Sequence, residues 1–129
     1  MEYVLSFVSG GLLYGGLELL WRGWTHWTML LCGGGCFVMM SLVERSTLPL
    51  WKKMLLSAAL ITTAEYLTGC VVNLALGWQV WDYSGCRGNL LGQICPVFSL
   101  LWLALSLPGL WLCRWERRIF QYFSSGSAL

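Results

Sequence analysis

The sequence predicts an all-α polytopic membrane protein, a bundle of four transmembrane helices with a structured external loop between helices 3 and 4. Two observations carry this prediction. The chain is 57% hydrophobic and only 11% charged, whereas about a quarter of the residues of a soluble domain are charged. The apolar residues also form four blocks, each close to the roughly 20 residues that cross a bilayer as a helix. These blocks are approximately residues 3–21, 28–43, 54–76 and 94–113.

The four blocks belong to one domain. The first block lacks a basic segment ahead of it and contains Glu18, so it is predicted to be a retained span rather than a signal peptide. Gly33, Gly34 and Gly35 weaken the helix preference of the second block, but its length and apolar composition still predict a helix. No Pro/Gly/Ser-rich linker or charge run separates the blocks. Residues 1–123 are therefore predicted to form a single transmembrane domain, and residues 124–129 a flexible tail.

The basic residues predict the orientation. Four spans place both termini and the connection between spans 2 and 3 on one side of the membrane. Six of the eight basic residues lie on that side, namely Arg45, Lys52, Lys53, Arg114, Arg117 and Arg118, against Arg22 and Arg87 on the other. Lys and Arg in short loops stay cytoplasmic, so both termini are predicted to be cytoplasmic and the connection at residues 77–93 external. Most tryptophans then form interfacial belts, an outer one of Trp21, Trp24, Trp27, Trp78 and Trp81 and an inner one of Trp51, Trp111 and Trp115.

Two acidic residues within the spans are candidate functional groups. Glu18 stands four residues before Arg22, a helical spacing at which the two side chains meet. Glu65 lies near the middle of span 3, where an ionisable group costs at least about 2.5 to 3.5 kcal/mol and must face protein, water or a partner rather than lipid. A functional role is the default interpretation of Glu65. A purely structural role, as a hydrogen-bonded packing group, stays open.

The outer ends of the spans are predicted to form a polar ligand-binding pocket above Glu65. Its predicted residues are Glu18, Arg22, His26, Glu65, Asn73, Asp82, Tyr83, Asn89 and Gln93. The loop at residues 77–93 is predicted to be a wall of this pocket rather than a membrane anchor, because tryptophans alone would satisfy an anchor. The alternative is a scattered, solvated set of interfacial side chains.

Several kinds of chemistry have little support. The six cysteines show no spacing typical of a zinc or redox motif, although Cys86 and Cys95 lie on the predicted external side, where a disulfide is chemically allowed. The motifs G-x-x-x-x-G-K-[ST], G-x-S-x-G and H-E-x-x-H are missing, so no cofactor, metal or catalytic residue is assigned. The basic residues gather mainly at the inner face, where they serve topology and anionic lipid, and nucleic acid is not an expected partner.

Three stretches resemble a known family: "YGGLELLWRGWTHWTMLLCGGGCF" at 14–37, "TTAEYLTGCVVNLALGWQVWDYS" at 62–84 and "NLLGQICPVFSLLW" at 89–102. They are similar to a bacterial family of small integral membrane proteins described as putative ABC-transporter permeases of the CmpB, or type IV, kind. The resemblance implies a multi-pass protein of the bacterial inner (plasma) membrane, a role in transport and a separate ATPase subunit as a partner.

Two functions from different classes compete. In the first, the chain is a permease-like transport or binding component with a pocket built around Glu18, Glu65 and Asp82. In the second, it is a membrane-embedded enzyme or lipid-binding protein that takes a hydrophobic substrate from the outer leaflet, with carboxylates as general acid or base. The first is preferred, so the chain is not expected to be an enzyme, and membrane lipid is a partner in either case.

The small size of the chain also predicts assembly. Four helices enclose little of a transport pathway, so the first function requires a homo-oligomer or a partner membrane protein. Glycines of span 1 (Gly10, Gly11, Gly15 and Gly16) and of span 2 (residues 33–35) predict close helix contacts. Some of these contacts are candidates for contacts between copies.

The predicted orientation can be tested by labelling introduced cysteines. In a background without native cysteines, a membrane-impermeant thiol reagent added to intact cells should label Gly85→Cys but not Ser125→Cys, because the positive-inside rule places position 85 outside. Permeabilised cells provide the control, since both positions should then react. The reverse pattern in intact cells would place the loop in the cytoplasm.

Overall fold

Helices make up most of the chain. The structure, a computed structural model, describes residues 1–127. It contains the helices α1 (Glu2–Arg22), α2 (Trp27–Glu44), α3 (Leu50–Gly69) and α4 (Pro96–Ser127), with a π-helical segment at Cys70–Ala75 that continues α3. All four are long and apolar enough to cross a membrane when α3 is taken together with its π segment. Within residues 1–127 the β-structure is limited to an isolated bridge between Leu90 and Ile94. The predicted all-helical, four-span fold class is confirmed.

Two helix boundaries differ from the apolar blocks. Helix α3 begins at Leu50, before the apolar block, because Pro49 in extended conformation precedes its first turn. Helix α4 continues well past residue 113 and through Ser127, because the polar segment after the apolar block contains no glycine or proline before Gly126. The helix therefore includes residues 124–127, which the sequence assigns to a flexible tail, while residues 128 and 129 lie outside the described residues.

The chain divides into two compact units. The first unit contains residues 1–48 and the chain from residue 107 onward, and the second contains residues 49–106. Helix α4 therefore contributes its first turns to the second unit and the remainder to the first. Each unit has its own buried polar groups, which are described separately below.

Glycines allow α1 and α2 of the first unit to pack closely as an antiparallel pair. A Cβ atom added at Gly11 would lie 2.9 Å from the carbonyl oxygen of Leu30, and one added at Gly34 would lie 2.6 Å from that of Phe7. Such distances leave no room for a side chain, so the two backbones approach each other directly. The expected close contacts of both glycine-rich spans are thus present, and these contacts lie within one chain.

A cluster of charged and polar side chains joins three helices of the same unit. The carboxylate of Glu44, which is only 3% exposed, accepts a hydrogen bond from Nε of Arg114 at 3.0 Å and pairs with Nη1 of Arg117 at 3.0 Å. Ser6 donates to Glu116 at 2.8 Å, and Glu2 pairs with Arg45. These contacts join α1, α2 and the second half of α4. Arg114 and Arg117 therefore neutralise a buried acid, in addition to the topological role that the sequence gives them.

The glycine packing generates a stability prediction. Gly34→Ala should lower the free energy of unfolding by about 1 to 3 kcal/mol, because the new methyl group meets backbone that cannot move independently. The change is measured by heating the protein in detergent and using size-exclusion chromatography to determine how much folded protein remains at each temperature. Gly35→Ala is the matched control, because a Cβ there has nothing within 4 Å and alanine has the higher helix propensity. Equal losses in the two variants would contradict close packing at Gly34.

Candidate functional site

The second unit holds a buried carboxylate one turn before the end of α3. Glu65 of α3 is 4% exposed. Its Oε1 accepts a hydrogen bond from the hydroxyl of Tyr83 at 2.9 Å, and its Oε2 accepts one from the indole N–H of Trp102 at 3.1 Å. Tyr83 lies in the loop before α4, and Trp102 lies two turns into α4. One side chain of α3 thus joins the loop and the next helix, and Glu65 faces protein as the sequence predicts.

Aromatic rings surround these hydrogen bonds. The ring of Tyr83 stacks on Phe98 with centroids 4.8 Å apart and planes 21° apart. Phe98 and Trp102 are four residues apart on α4 and therefore lie on one face of that helix. A further hydrogen bond, from Thr62 to Ser99 at 3.1 Å, joins α3 to the same part of α4. The carboxylate consequently sits among three aromatic side chains.

A second polar network lies at the π-helical end of α3. The side-chain oxygen of Asn73 accepts a 2.6 Å hydrogen bond from the backbone N–H of Val80, and its amide nitrogen donates to Gln93 at 2.8 Å. The indole N–H of Trp81 donates to the carbonyl oxygen of Gln93 at 2.9 Å. Asn73 therefore binds both the beginning and the end of the loop. A π segment widens the helix by one residue per turn and often occurs at functional sites, and here it carries the asparagine.

Gly69 explains why the loop can approach α3 so closely. A Cβ atom at this position would lie 2.5 Å from Oε1 of Gln93 and 2.9 Å from the Trp81 ring. Any larger residue would displace both side chains. The glycine stands one turn after Glu65 and one turn before Asn73, so the two hydrogen-bonded networks are adjacent on one face of the helix.

The loop is folded by its own polar side chains. Asn89 donates to the carbonyl oxygens of Ser84 and Cys86 at 3.2 and 2.8 Å, and its side-chain oxygen accepts from the N–H of Gly92 at 2.9 Å. Asp82 is exposed and accepts from the N–H of Ser84 at 2.8 Å. Hydrogen bonds from the backbone and then the side chain of Ser84 hold the pKa of Asp82 below its ordinary value. Both residues fix the loop conformation, and the predicted structured loop is present.

One tryptophan of the unit, Trp81, differs from its predicted place in a belt. Trp81, predicted to lie at the outer interface, is 5% exposed and hydrogen-bonded inside the loop, so its assignment to a belt is wrong. Trp78 is exposed, as the predicted outer belt requires. Trp102 was not among the predicted site residues. The sequence could have indicated it, because Trp102 belongs to neither predicted belt. A tryptophan away from the interfaces is expected to be buried, and a buried indole N–H requires a hydrogen-bond acceptor.

The remaining predicted site residues belong to the first unit. Nε of Arg22 lies 2.6 Å from Oε2 of Glu18, so the predicted pair at i and i+4 is confirmed. The guanidinium of Arg22 also lies 4.3 Å from the centre of the Trp24 ring. His26 precedes α2, and its Nδ1 accepts from the N–H of Thr28 at 3.3 Å. Each of these residues has a local role in the turn between α1 and α2, and their membership of a pocket above Glu65 stays a prediction.

The donor sets offer no metal centre in the described part of the chain. Within residues 1–127, no group of three or more His, Cys, Asp or Glu side chains is placed to hold a metal ion.

Comparison with protein families matches most of the chain to a known family. The model of the family ABC_trans_CmpB, described as "Putative ABC-transporter type IV", matches residues 3–124. Comparisons with curated proteins and with solved structures found no match.

The Asn73 network generates a prediction about the loop. Asn73→Leu should speed trypsin cleavage after the exposed Arg87 by about tenfold or more. The N–H of Val80 and the amide of Gln93 then lose a partner, at a cost of about 1 to 3 kcal/mol, and the loop opens more often. Mass spectrometry of timed digests gives the rate. Leu74→Ala, at the exposed neighbouring position, serves as the control, and equal rates in the two variants would show that Asn73 does not hold the loop.

Proposed function

Because the chain belongs to the ABC_trans_CmpB family of putative type IV ABC transporters, we propose that it is a permease-like component for transport or binding whose ligand-binding group is Glu65. The chain is a multi-pass membrane protein with four apolar helices. The proposed site occupies the second unit and consists of Glu65, Tyr83 and Trp102, with Asn73, Asp82, Asn89 and Gln93 holding the loop around it.

One observation carries the proposal, namely a buried carboxylate in a membrane-spanning helix that is hydrogen-bonded by a loop residue. Ionisable groups at such positions are costly and typically mark the path of a substrate or ion. Trp102 belongs to a helix, whereas Tyr83 belongs to a loop, and loops are more mobile than the helices that they connect. Movement of Tyr83 away from Oε1 of Glu65 would open the carboxylate to a ligand, while Trp102 keeps its place.

The chemistry around Glu65 favours a lipophilic cation as ligand. The hydroxyl of Tyr83 and the indole N–H of Trp102 are neutral donors, so these two hydrogen bonds orient the carboxyl group of Glu65 without placing a positive charge beside it. Aromatic faces such as those of Tyr83, Phe98 and Trp102 attract cations, most strongly where water is excluded. An organic cation with an apolar body would therefore gain from both the carboxylate and the rings, whereas an anion would be repelled.

The proposal includes an orientation and partners. The bias of basic residues supports cytoplasmic termini and a loop that faces outward from the bacterial plasma membrane. The sequence has no phosphate-binding loop motif, so a separate ATPase subunit would supply the energy for active transport. A second copy or another membrane subunit would complete the pathway. The predicted contribution of Glu18, Arg22 and His26 to ligand binding stays part of this hypothesis.

A pair of ions of similar size and opposite charge tests the site. In separate titrations, tetraphenylphosphonium should bind the detergent-solubilised protein saturably and quench tryptophan fluorescence, whereas tetraphenylborate should show no saturable binding. Glu65→Gln should weaken binding of the cation at least about tenfold, which corresponds to about 1.4 kcal/mol, because the charge is lost while the shape is kept.

The control for this experiment is Glu2→Gln. It makes the same change of charge in the first unit, where Glu2 pairs with Arg45, and should leave the binding constant unaltered. Equal affinity for both ions, or unchanged affinity in Glu65→Gln, would remove Glu65 from the binding site.

A further inference from the structure

Two cysteines lie on either side of the contact between the loop and α4. Cys86 follows Tyr83 by three residues, and its backbone N–H donates to the carbonyl oxygen of Tyr83 at 2.8 Å. Cys95 directly precedes α4 and stands three residues before Phe98, the ring on which Tyr83 stacks. Between the two cysteines the chain turns back on itself, because the N–H of Asn89 donates to the carbonyl oxygen of Cys86 at 3.4 Å and an isolated bridge joins Leu90 to Ile94. This turn brings the two thiols close enough to affect each other's ionisation. Neither cysteine is in a disulfide in this structure.

We propose that Cys86 and Cys95 form a reversible disulfide that fastens the Tyr83 turn of the loop to the start of α4, beside the Glu65 site. The proposal concerns a covalent modification and does not depend on the ligand of Glu65. It does rest on the proposed orientation for its physiological setting, because disulfides persist outside the cytoplasm.

The surroundings of the two sulfurs suit them to different steps of thiol–disulfide exchange. Cys86 is partly exposed and Cys95 is 2% exposed, so Cys86 is the thiol that an external disulfide can reach. Burial opposes ionisation of Cys95, but the backbone N–H groups of Phe98 and Val97 and the thiol of Cys86 outweigh it and lower the pKa of Cys95. Donation to Cys95 raises the pKa of Cys86. Cys95 is therefore the better internal nucleophile, and Cys86 the better point of entry.

The exchange balances with a disulfide carrier as the oxidant. The thiolate of Cys86 attacks one sulfur of the carrier, which forms a mixed disulfide and releases one carrier thiol. The thiolate of Cys95 then attacks the sulfur of Cys86, which closes the internal disulfide and releases the second carrier thiol. Two protein thiols are oxidised and one carrier disulfide is reduced to two thiols.

Trypsin cleavage after Arg87 allows the disulfide to be detected, because Arg87 lies between the two cysteines. Complete tryptic digestion separates peptide 54–87 from peptide 88–114, so a disulfide between Cys86 and Cys95 links two peptides that are otherwise independent. In the Cys70→Ala/Cys113→Ala variant each peptide contains a single cysteine. Purified protein is treated with oxidised glutathione, alkylated with N-ethylmaleimide and digested without reductant. The expected product is the linked peptide pair, which dithiothreitol should separate.

Wild-type protein is treated in parallel as a control, because a folding defect of the double variant would prevent the disulfide from forming. Fragmentation of its linked peptides by mass spectrometry should locate the bond at Cys86 and Cys95. Addition of Cys86→Ser to the double variant is the matched control and should abolish the linked pair. Detection of glutathione on Cys86 without the linked pair, or alkylation of both thiols after oxidation, would overturn the proposal.

A second measurement tests the fastening of the loop. In folded protein, oxidation should slow trypsin cleavage after Arg87 at least fivefold, and dithiothreitol should restore the original rate. An unchanged rate despite a complete disulfide would show that the bond does not restrain the loop. Tetraphenylphosphonium is absent from both measurements, so their outcome is separate from that of the binding experiment on Glu65.

Discussion

The organisation of the second unit depends on the hydrogen bonding of one carboxylate. Glu65 stands in an apolar helix, where lipid offers no partner for a polar group. Its two oxygens accept hydrogen bonds from Tyr83 and Trp102, which follow it in the chain by 18 and 37 positions. A buried acceptor without donors would cost about 1 to 3 kcal/mol, and more if charged. The loop must therefore fold back onto α3, and the beginning of α4 must lie against the same face, for this helix to carry its glutamate.

The other special features of the unit permit that arrangement. Gly69 leaves space for Gln93 and Trp81 against the backbone of α3. The π segment places Asn73 where one amide side chain reaches both ends of the loop. Leu91, with a φ of 53°, and Gly92, with a φ of 72°, allow the chain to turn within the loop. Side-chain hydrogen bonds thus bind both ends of the loop at residues 77–93 to the helix.

Glu44 and Glu65 are both buried, but their hydrogen-bond donors differ in charge. Glu44 in the first unit is bound by Arg114 and Arg117, whose positive charges compensate its own. Because the buried carboxylate is held by two arginines of another helix, this cluster serves to hold helices together. Glu65 receives neutral donors, one of which comes from a loop. This difference is the reason why the proposed function places the ligand at Glu65 rather than at Glu44, whose carboxylate two arginines already bind.

The sequence by itself determined the number of spans, the all-helical class, the pairing of Glu18 with Arg22 and the need for Glu65 to face protein. These properties follow from apolar length, helical spacing and the cost of charge in lipid, which are local or compositional quantities. Only the tertiary structure decided that Tyr83 and Trp102 donate to Glu65, that Trp81 is buried rather than interfacial, and that a turn of the loop brings Cys86 and Cys95 together. Those contacts join residues distant in sequence, and periodicity assigns a residue to a helix face without stating which residue of another element faces it. Helix α4 likewise passes the end of its apolar block, because apolar length measures the bilayer crossing, whereas backbone hydrogen bonds continue as long as no residue interrupts them.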